Sequence, residues 1–186
     1  MAGIAISLGC IVNLRVGDIA GAVLFTFGLL TVVHYKLKLF TGTAGFVTSW
    51  KDMRELVLIL AGNIVGCALV GSLVNVALPA LADNASRIVE ARLALNVWQV
   101  TILAAGCGFI MTTAVEFGRR GKFLPLLFGV PVFILSGFLH SIADACYYVV
   151  AWSPSWALTW CYLWVVIGNF IGCNAYRLFI NRDLLD

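Results

Sequence analysis

The chain has 186 residues, of which 62% are hydrophobic and only 11% are charged, and its mean hydropathy is +1.00. A soluble domain cannot bury so large an apolar fraction, because too few charged residues remain to cover its surface. The twelve lysines and arginines are scattered between apolar runs, so the net charge of +3 does not indicate a nucleic acid partner. The composition predicts an all-α integral membrane protein in a lipid bilayer, where each crossing helix needs about 20 apolar residues.

Charged residues and prolines divide the apolar sequence into six runs, and we expect six transmembrane spans. The runs cover residues 2–14, 19–50, 56–80, 95–117, 123–151 and 156–180. The second and fifth runs are too long for one span and contain polar interruptions with glycine. These are His34-Tyr35-Lys36-Leu37-Lys38 with Thr41-Gly42-Thr43, and Ser136-Gly137 with His140-Ser141. They predict broken second and fifth helices, which persist in a membrane only where the freed backbone is buried or lines a cavity.

A short motif links the two halves of the chain. Gly62-Asn63-Ile64-Val65-Gly66 in the third run recurs as Gly168-Asn169-Phe170-Ile171-Gly172 in the sixth. We therefore expect one transmembrane domain over residues 1–186, built as an inverted three-plus-three repeat with halves at about 1–80 and 95–180. An odd number of spans per half makes the halves run in opposite directions, with a pathway at their interface. The glycines also fit a helix-packing motif of small residues.

The connections between spans predict the orientation, because basic residues accumulate on the cytoplasmic side. If the spans alternate, one side holds Lys51, Arg54, Arg119, Arg120, Lys122, Arg177 and Arg182. The other side holds only Arg15, Arg87 and Arg92. We expect a multi-pass protein of the cell (inner or plasma) membrane with both termini cytoplasmic. The 81–94 connection is then the longest external loop.

Polar residues inside the apolar runs are candidates for function, because they are costly in lipid without a partner or a water-filled path. They are His34, Lys36, Lys38, Glu116, His140 and Asp144. His140 and Asp144 are four residues apart, so on one helix face they are expected to hydrogen-bond and fix the imidazole tautomer, or to form a structural cap. A histidine also suits a path for a weak acid and its anion.

The two lysines leave two interpretations open. Beside Phe40-Thr41-Gly42-Thr43, where a helix break exposes N–H donors, Lys36 and Lys38 add positive potential for an anion. Alternatively, they snorkel to the membrane interface. Glu116 precedes two arginines and is expected to pair with one of them near the cytoplasmic boundary.

The sequence does not indicate an enzyme, a cofactor or a metal site. It contains no HExxH, GxSxG or phosphate loop, and two histidines leave at most one axial haem site. The cysteines have no CxxC spacing and lie within apolar runs, so we interpret them as packing residues. They are Cys10, Cys67, Cys107, Cys146, Cys161 and Cys173.

Several pieces, in order along nearly the whole chain, resemble the formate–nitrite transporter family. They are residues 2–9, 25–29 and 39–42, both GNxxG stretches, Lys122, Pro131 and, most specifically, Ser136-Gly137-Phe138-Leu139-His140-Ser141-Ile142-Ala143-Asp144. The resemblance implies an aquaporin-like homopentamer with one pore per subunit. It also implies that Leu39, Phe40 and Thr41 belong to the second-span break, with Thr41 facing His140 at the pore centre.

The resemblance further implies apolar slits on either side of that centre, formed by Phe25, Leu29, Leu39, Phe40 and Phe133. Such slits reject hydrated ions, so a small anion passes when its charge is neutralised or closely matched. The chain departs from the family pattern at Lys38, Cys107-Gly108, Leu139 and Asp144.

We therefore expect a channel or proton-linked transporter for small monovalent anions or their conjugate acids, such as formate, nitrite or hydrosulfide. The alternatives are a neutral-solute channel for water, ammonia or hydrogen sulfide, and a non-conducting scaffold or accessory subunit.

Overall fold

The protein is all-helical over the part of the chain that the computed structural model describes, residues 1–179 without the side chains of Tyr176 and Arg177. The helices are α1 (Ala2–Val16), α2 (Asp18–His34), α3 (Phe40–Thr43), α4 (Trp50–Ala77), α5 (Leu81–Leu93), α6 (Val97–Arg119), α7 (Leu124–Leu135), α8 (Ser141–Ala151) and α9 (Trp156–Phe179). A 3-10 turn, Ala44–Phe46, follows α3. Arg182 and the Arg177 side chain, which contributed to the predicted orientation, lie outside the described residues.

Three of these helices are long and apolar enough to cross a membrane: α4, α6 and the Trp156–Ala175 part of α9. Four more apolar helices are shorter, namely α1, α2, α7 and α8. The length of a membrane-crossing helix follows from the hydrocarbon thickness, about 30 Å at 1.5 Å per residue. The predicted all-α membrane class is confirmed.

Both helix breaks lie within the predicted polar interruptions. The chain leaves helical geometry after His34 and resumes it at Phe40, and it leaves again after Leu135 and resumes at Ser141. Each break contains a residue in the left-handed region, Lys36 with φ 52° and Gly137 with φ 72°. Gly137 adopts this conformation without a Cβ clash, whereas Lys36 adopts it at a steric cost.

The fourth helix begins earlier than its apolar run. We expected the run to start at residue 56, but α4 starts at Trp50 because Ser49 and Asp52 form a reciprocal capping box. The Asp52 amide donates to Ser49 Oγ at 3.2 Å, and the Ser49 amide donates to Asp52 Oδ2 at 2.9 Å. Hydrophobicity alone cannot find such a start, since the first turn carries charged side chains.

The same close helix contact occurs twice. In α1, Gly3 lies directly against the backbone carbonyl of Asn63 in α4, and in α6, Gly108 lies against that of Asn169 in α9. A side chain at either glycine would overlap the facing carbonyl oxygen. Two helix pairs, α1 with α4 and α6 with α9, are therefore packed at backbone distance, as small residues allow in membranes.

The segment predicted as the longest external loop, residues 81–94, is helical over Leu81–Leu93, so it is not an irregular loop. Its external position stays a prediction. Leu81, Ala85 and Val89 recur every four residues and are all buried in α5. This apolar stripe packs α5 against α8. Charged residues separate Leu81, Ala85 and Val89 in the sequence, so the helical periodicity that follows Pro79 was not recognised.

The glycines of the repeated motif are expected to differ in their tolerance of a methyl group. We expect Gly172→Ala to lower stability by about 1–3 kcal/mol, because the added Cβ overlaps the Ala105 carbonyl oxygen and forces α9 away from α6. Gly62→Ala is the matched control, since no atom of another element lies within 4 Å of its Cβ position. Thermal unfolding in detergent measures both, and equal midpoints would contradict the packing interpretation. Gly62 makes no close helix contact within the described part of this chain, so a packing role for it would require a second subunit.

Candidate functional site

The centre of the candidate site is a contact between one residue from each helix break. Thr41 lies in α3 and is 0% exposed, and His140 immediately precedes α8 and is 2% exposed. Thr41 Oγ1 and His140 Nε2 are 3.0 Å apart, which is a hydrogen-bond distance. The breaks therefore bring together two polar side chains that are 99 residues apart in sequence.

The other ring nitrogen of His140 fixes the tautomer. Nδ1 accepts a hydrogen bond from the Ala143 amide at 3.1 Å, so His140 caps the start of α8. An accepting Nδ1 carries no proton, and in a neutral imidazole the proton is then on Nε2. His140 thus donates to Thr41 Oγ1, which leaves the Thr41 hydroxyl proton free to donate elsewhere.

The expected hydrogen bond between His140 and Asp144 is absent from this arrangement, so that prediction is wrong. Nδ1 is already occupied by the Ala143 amide, and Nε2 by Thr41. Asp144 is 1% exposed and pairs instead with Arg92 of α5, with Nε and Oδ1 3.6 Å apart. The alternative that His140 acts as a cap is the one observed.

Two asparagines hold the breaks in place. At the first break, Asn63 Oδ1 accepts from the Phe40 amide at 3.0 Å, and its Nδ2 donates to the Lys38 carbonyl at 3.1 Å. At the second break, Asn169 Oδ1 accepts from the Ser141 amide and its Nδ2 donates to the Leu139 carbonyl, both at 2.8 Å. The asparagine of each GNxxG motif therefore satisfies backbone groups that its break frees.

Further contacts fix the backbone beside Thr41. Its carbonyl accepts from Thr112 Oγ1 at 3.2 Å and from Cys173 Sγ at 3.2 Å. Arg119, at the end of α6, donates from Nη2 to the Gly42 carbonyl at 3.0 Å and lies 5.6 Å from the Phe46 ring centre. The sequence indicated Arg119 only as a marker of orientation, because its contact crosses 77 positions.

Apolar side chains surround the centre. Phe133 stacks on His140 with ring centres 5.5 Å apart, and Phe25 meets Phe133 edge-on at 5.8 Å. Leu29, Leu39 and Phe40 are buried in the same core cluster. The polar centre therefore lies in a water-poor environment, where a bare charge is costly.

A cavity opens beside each break. The Lys36 cavity measures about 480 Å³ and is lined by Val32, Val33, His34, Lys36, Leu37, Leu39, Gly42, Val115, Gly118, Arg119, Gly121 and Phe123. The Arg92 cavity measures about 290 Å³ and is lined by Asn13, Arg87, Ile88, Ala91, Arg92, Phe133, Ile134, Gly137, Phe138, His140, Ala143, Asp144 and Tyr147. Gly42, the neighbour of Thr41, lines the first cavity and His140 lines the second, so the Thr41–His140 contact joins the walls of the two cavities.

The two lysines of the first break have different surroundings. Lys36 lines the Lys36 cavity together with Arg119. Lys38 is exposed and forms an ion pair with Glu55 of α4. Glu116 forms the expected pair with an arginine, Arg120, at 3.2 Å.

The cysteines are buried and form no disulfide bond within the described chain. Within residues 1–179, no group of three or more His, Cys, Asp or Glu side chains is arranged to hold a metal ion. Several cysteine thiols donate to backbone carbonyls near the site, among them Cys67 to Ile142 at 3.3 Å. The cysteines therefore pack within the helix interfaces and hydrogen-bond to backbone carbonyls there.

An all-helical membrane protein with two broken helices and a buried polar contact between two cavities has the architecture of a membrane channel or transporter. A family model described as "Formate/nitrite transporter" matches residues 1–180. The chain belongs to the formate/nitrite transporter family. No curated protein matches the chain.

Solved structures share this fold. A protein described as a pentameric formate channel with formate bound is 19% identical, with a TM-score of 0.82 over 95% of this chain and 90% of that one. An ion channel described as belonging to the same family is 22% identical, with a TM-score of 0.86 over 95% of this chain and 84% of that one.

Because Lys36 and Lys38 have different surroundings, we expect them to differ in how strongly they attract anions. We expect Lys36→Gln to slow anion flux and weaken its dependence on ionic strength, because a cation lining a cavity raises the local anion concentration in a salt-sensitive way. Lys38→Gln is the matched control, since Lys38 pairs with Glu55 and does not line the cavity. Flux into liposomes at several salt concentrations measures both. Parallel salt curves for Lys36→Gln and the wild type would exclude Lys36 from the anion's path.

Proposed function

We propose that the protein is a membrane channel or proton-linked transporter for small monovalent anions or their conjugate acids, such as formate, nitrite or hydrosulfide. The observation that carries the proposal is the buried Thr41–His140 contact between two cavities, with apolar side chains around it. Family membership supports the transport class. The formate bound in one structural relative supports the size and charge of the cargo.

The geometry supports a hydrogen-bonding role for His140 in this path. The cargo loses water at the apolar slits. It regains a hydrogen bond from the Thr41 hydroxyl, and it replaces Thr41 Oγ1 as the acceptor of the His140 Nε2–H. Protonating His140 would place a second N–H at Nδ1, directly against the Ala143 amide, and would disrupt the cap of α8. The arrangement therefore favours a neutral imidazole as donor, with any proton travelling on the cargo itself.

A second candidate is a neutral-solute channel for ammonia, hydrogen sulfide or water. It is favoured by the centre itself, because a hydroxyl and a neutral imidazole carry no net charge to compensate an anion. Flux of formate, nitrite, hydrosulfide and chloride into liposomes, beside osmotic and ammonia assays, separates the two. No flux of any solute would support the third alternative, a non-conducting scaffold or accessory subunit.

We also propose the membrane arrangement. The recurring contacts of α1 with α4 and of α6 with α9, together with the two asparagine-held breaks, support six spans in an inverted three-plus-three repeat over a single domain, residues 1–186. The distribution of basic residues supports cytoplasmic termini in the cell membrane. The Lys36 cavity then faces the cytoplasm, and the Arg92 cavity faces outward.

Replacement of the central histidine tests the proposed mechanism. We expect His140→Phe to reduce formate flux at least tenfold, because a benzene ring keeps the volume and loses the hydrogen bond. His140→Asn is the informative companion, since it keeps N–H donors but cannot titrate. Flux retained in His140→Asn indicates hydrogen bonding, and flux lost in both indicates proton transfer. Wild-type flux in His140→Phe, with the oligomer intact by gel filtration, would contradict the proposal.

Assembly provides a second test. We expect the detergent-solubilised protein to be a homopentamer, because one structural relative, which matches 95% of this chain, is pentameric. Light scattering coupled to gel filtration measures the protein mass independently of detergent. A monodisperse monomer or dimer would contradict this expectation.

A further inference from the structure

The backbone carbonyls of the first break are satisfied by side chains from other helices. α3 has four residues, so it is too short to satisfy its last carbonyls within one helix. Three carbonyls accept instead from side chains of α6 and α9: Thr41 from Thr112 and Cys173, Gly42 from Arg119, and Ala44 from Asn174 at 3.1 Å. At the second break, by contrast, α8 continues for 11 residues, and the His140 carbonyl accepts from the Asp144 amide of that helix. The shape of the first break therefore depends on side chains that lie far away in sequence.

Arg119 is the charged residue among these donors, and it holds the segment at two points. Its Nη2 donates to the Gly42 carbonyl at 3.0 Å, and its guanidinium carbon lies over the Phe46 ring, 5.6 Å from the centre. A guanidinium can make both contacts at once, because it is planar and donates from its edge while its face lies on an aromatic ring. The two contacts lie on either side of the turn that leads out of α3.

The same face of α6 supports α3 from below. Thr112, Val115 and Arg119 are three and four residues apart, which places them on one side of the helix. Val115 lies so close to Gly42 that an added Cβ would be 3.2 Å from its side chain. Because Gly42 has no side chain, α3 can lie directly on Val115, and the Gly42 carbonyl reaches Arg119 at the end of α6.

The segment that Arg119 holds carries one wall of the proposed pathway. Leu39 and Phe40 are the expected slit residues of this break, and Thr41 contacts His140 at the centre. All three residues directly precede Gly42, so a displacement of the Gly42 carbonyl moves them together. The width of such a constriction decides which solutes pass.

We propose that Arg119 is a positioning residue that determines specificity by cargo size. It fixes α3 through the Gly42 carbonyl and keeps the slit narrow enough to favour formate over larger carboxylates. It acts through the backbone of the break and not by contact with the cargo. This inference rests on the proposed transport function and adds to it the residue that sets the size limit.

The test is the ratio of acetate flux to formate flux into liposomes. Arg119→Lys keeps the positive charge but loses the planar guanidinium that makes both contacts. We expect it to raise the ratio about fivefold, because a loosely held α3 widens the slit and weakens discrimination by size. The salt dependence of formate flux should stay as in the wild type, since the charge is kept. Arg119→Met should raise the ratio equally and also weaken the salt dependence.

Arg54→Lys is the matched control. It makes the same exchange at an exposed residue of α4 that does not line the Lys36 cavity, so its flux ratio should equal that of the wild type. An unchanged ratio in both Arg119 variants, with their oligomers intact by gel filtration, would show that the inference is wrong. A ratio that changes in Arg119→Met but not in Arg119→Lys would assign the effect to charge, and this outcome also contradicts the positioning role.

Hydrogen exchange separates this inference from the proposed function, because it requires no transport. We expect the amides of residues 40–46 to exchange about threefold faster in Arg119→Lys than in the wild type, with residues 141–147 unchanged. If the wild type transports no solute and exchange still rises in residues 40–46 alone, the transport proposal fails and the positioning role stands. If the wild type transports formate and residues 40–46 exchange at the wild-type rate in Arg119→Lys, the positioning role fails and the transport proposal stands.

Discussion

A helix that breaks inside a membrane frees backbone N–H and C=O groups that lipid cannot satisfy, and this constraint organises the structure. One asparagine solves it at each break. Asn63 accepts from the first amide of α3 and donates to a carbonyl just before it, and Asn169 does the same for α8. Thr41 and His140 each lie within one residue of a clamped amide, so the groups that satisfy the backbone also position the polar centre.

The clamps depend in turn on glycines in the facing helices. Each asparagine can reach its break because its own helix packs at backbone distance, with Gly3 against the Asn63 carbonyl and Gly108 against that of Asn169. Asn169 also donates to the Ala104 carbonyl at 2.8 Å, which ties α9 to α6 at the same level. Helix packing and site geometry are therefore one network, and a shift at the interface moves the polar centre.

Features with a local cause could be predicted from the sequence. The composition determines the membrane class, and polar stretches with glycine inside overlong apolar runs indicate both breaks. The repeated GNxxG motif identifies the asparagines, although the sequence indicated packing and not the backbone clamp. The start of α4 and the helix in residues 81–93 were missed, because a capping box and an amphipathic stripe override local polarity. Long-range partners such as Arg119 with Gly42 and Arg92 with Asp144 depend on the tertiary fold.

The charges of the proposed pathway have a consistent distribution. Cations line both cavities, with Lys36 and Arg119 on one side and Arg87 and Arg92 on the other. The centre between them offers only a hydroxyl and an imidazole. Positive potential at the mouths concentrates anions, whereas a fixed cation in the dry centre would hold one too strongly, because Coulomb energies rise as the dielectric constant falls. Attraction at the ends and neutral hydrogen bonding in the middle therefore allow a small anion to bind, pass and leave.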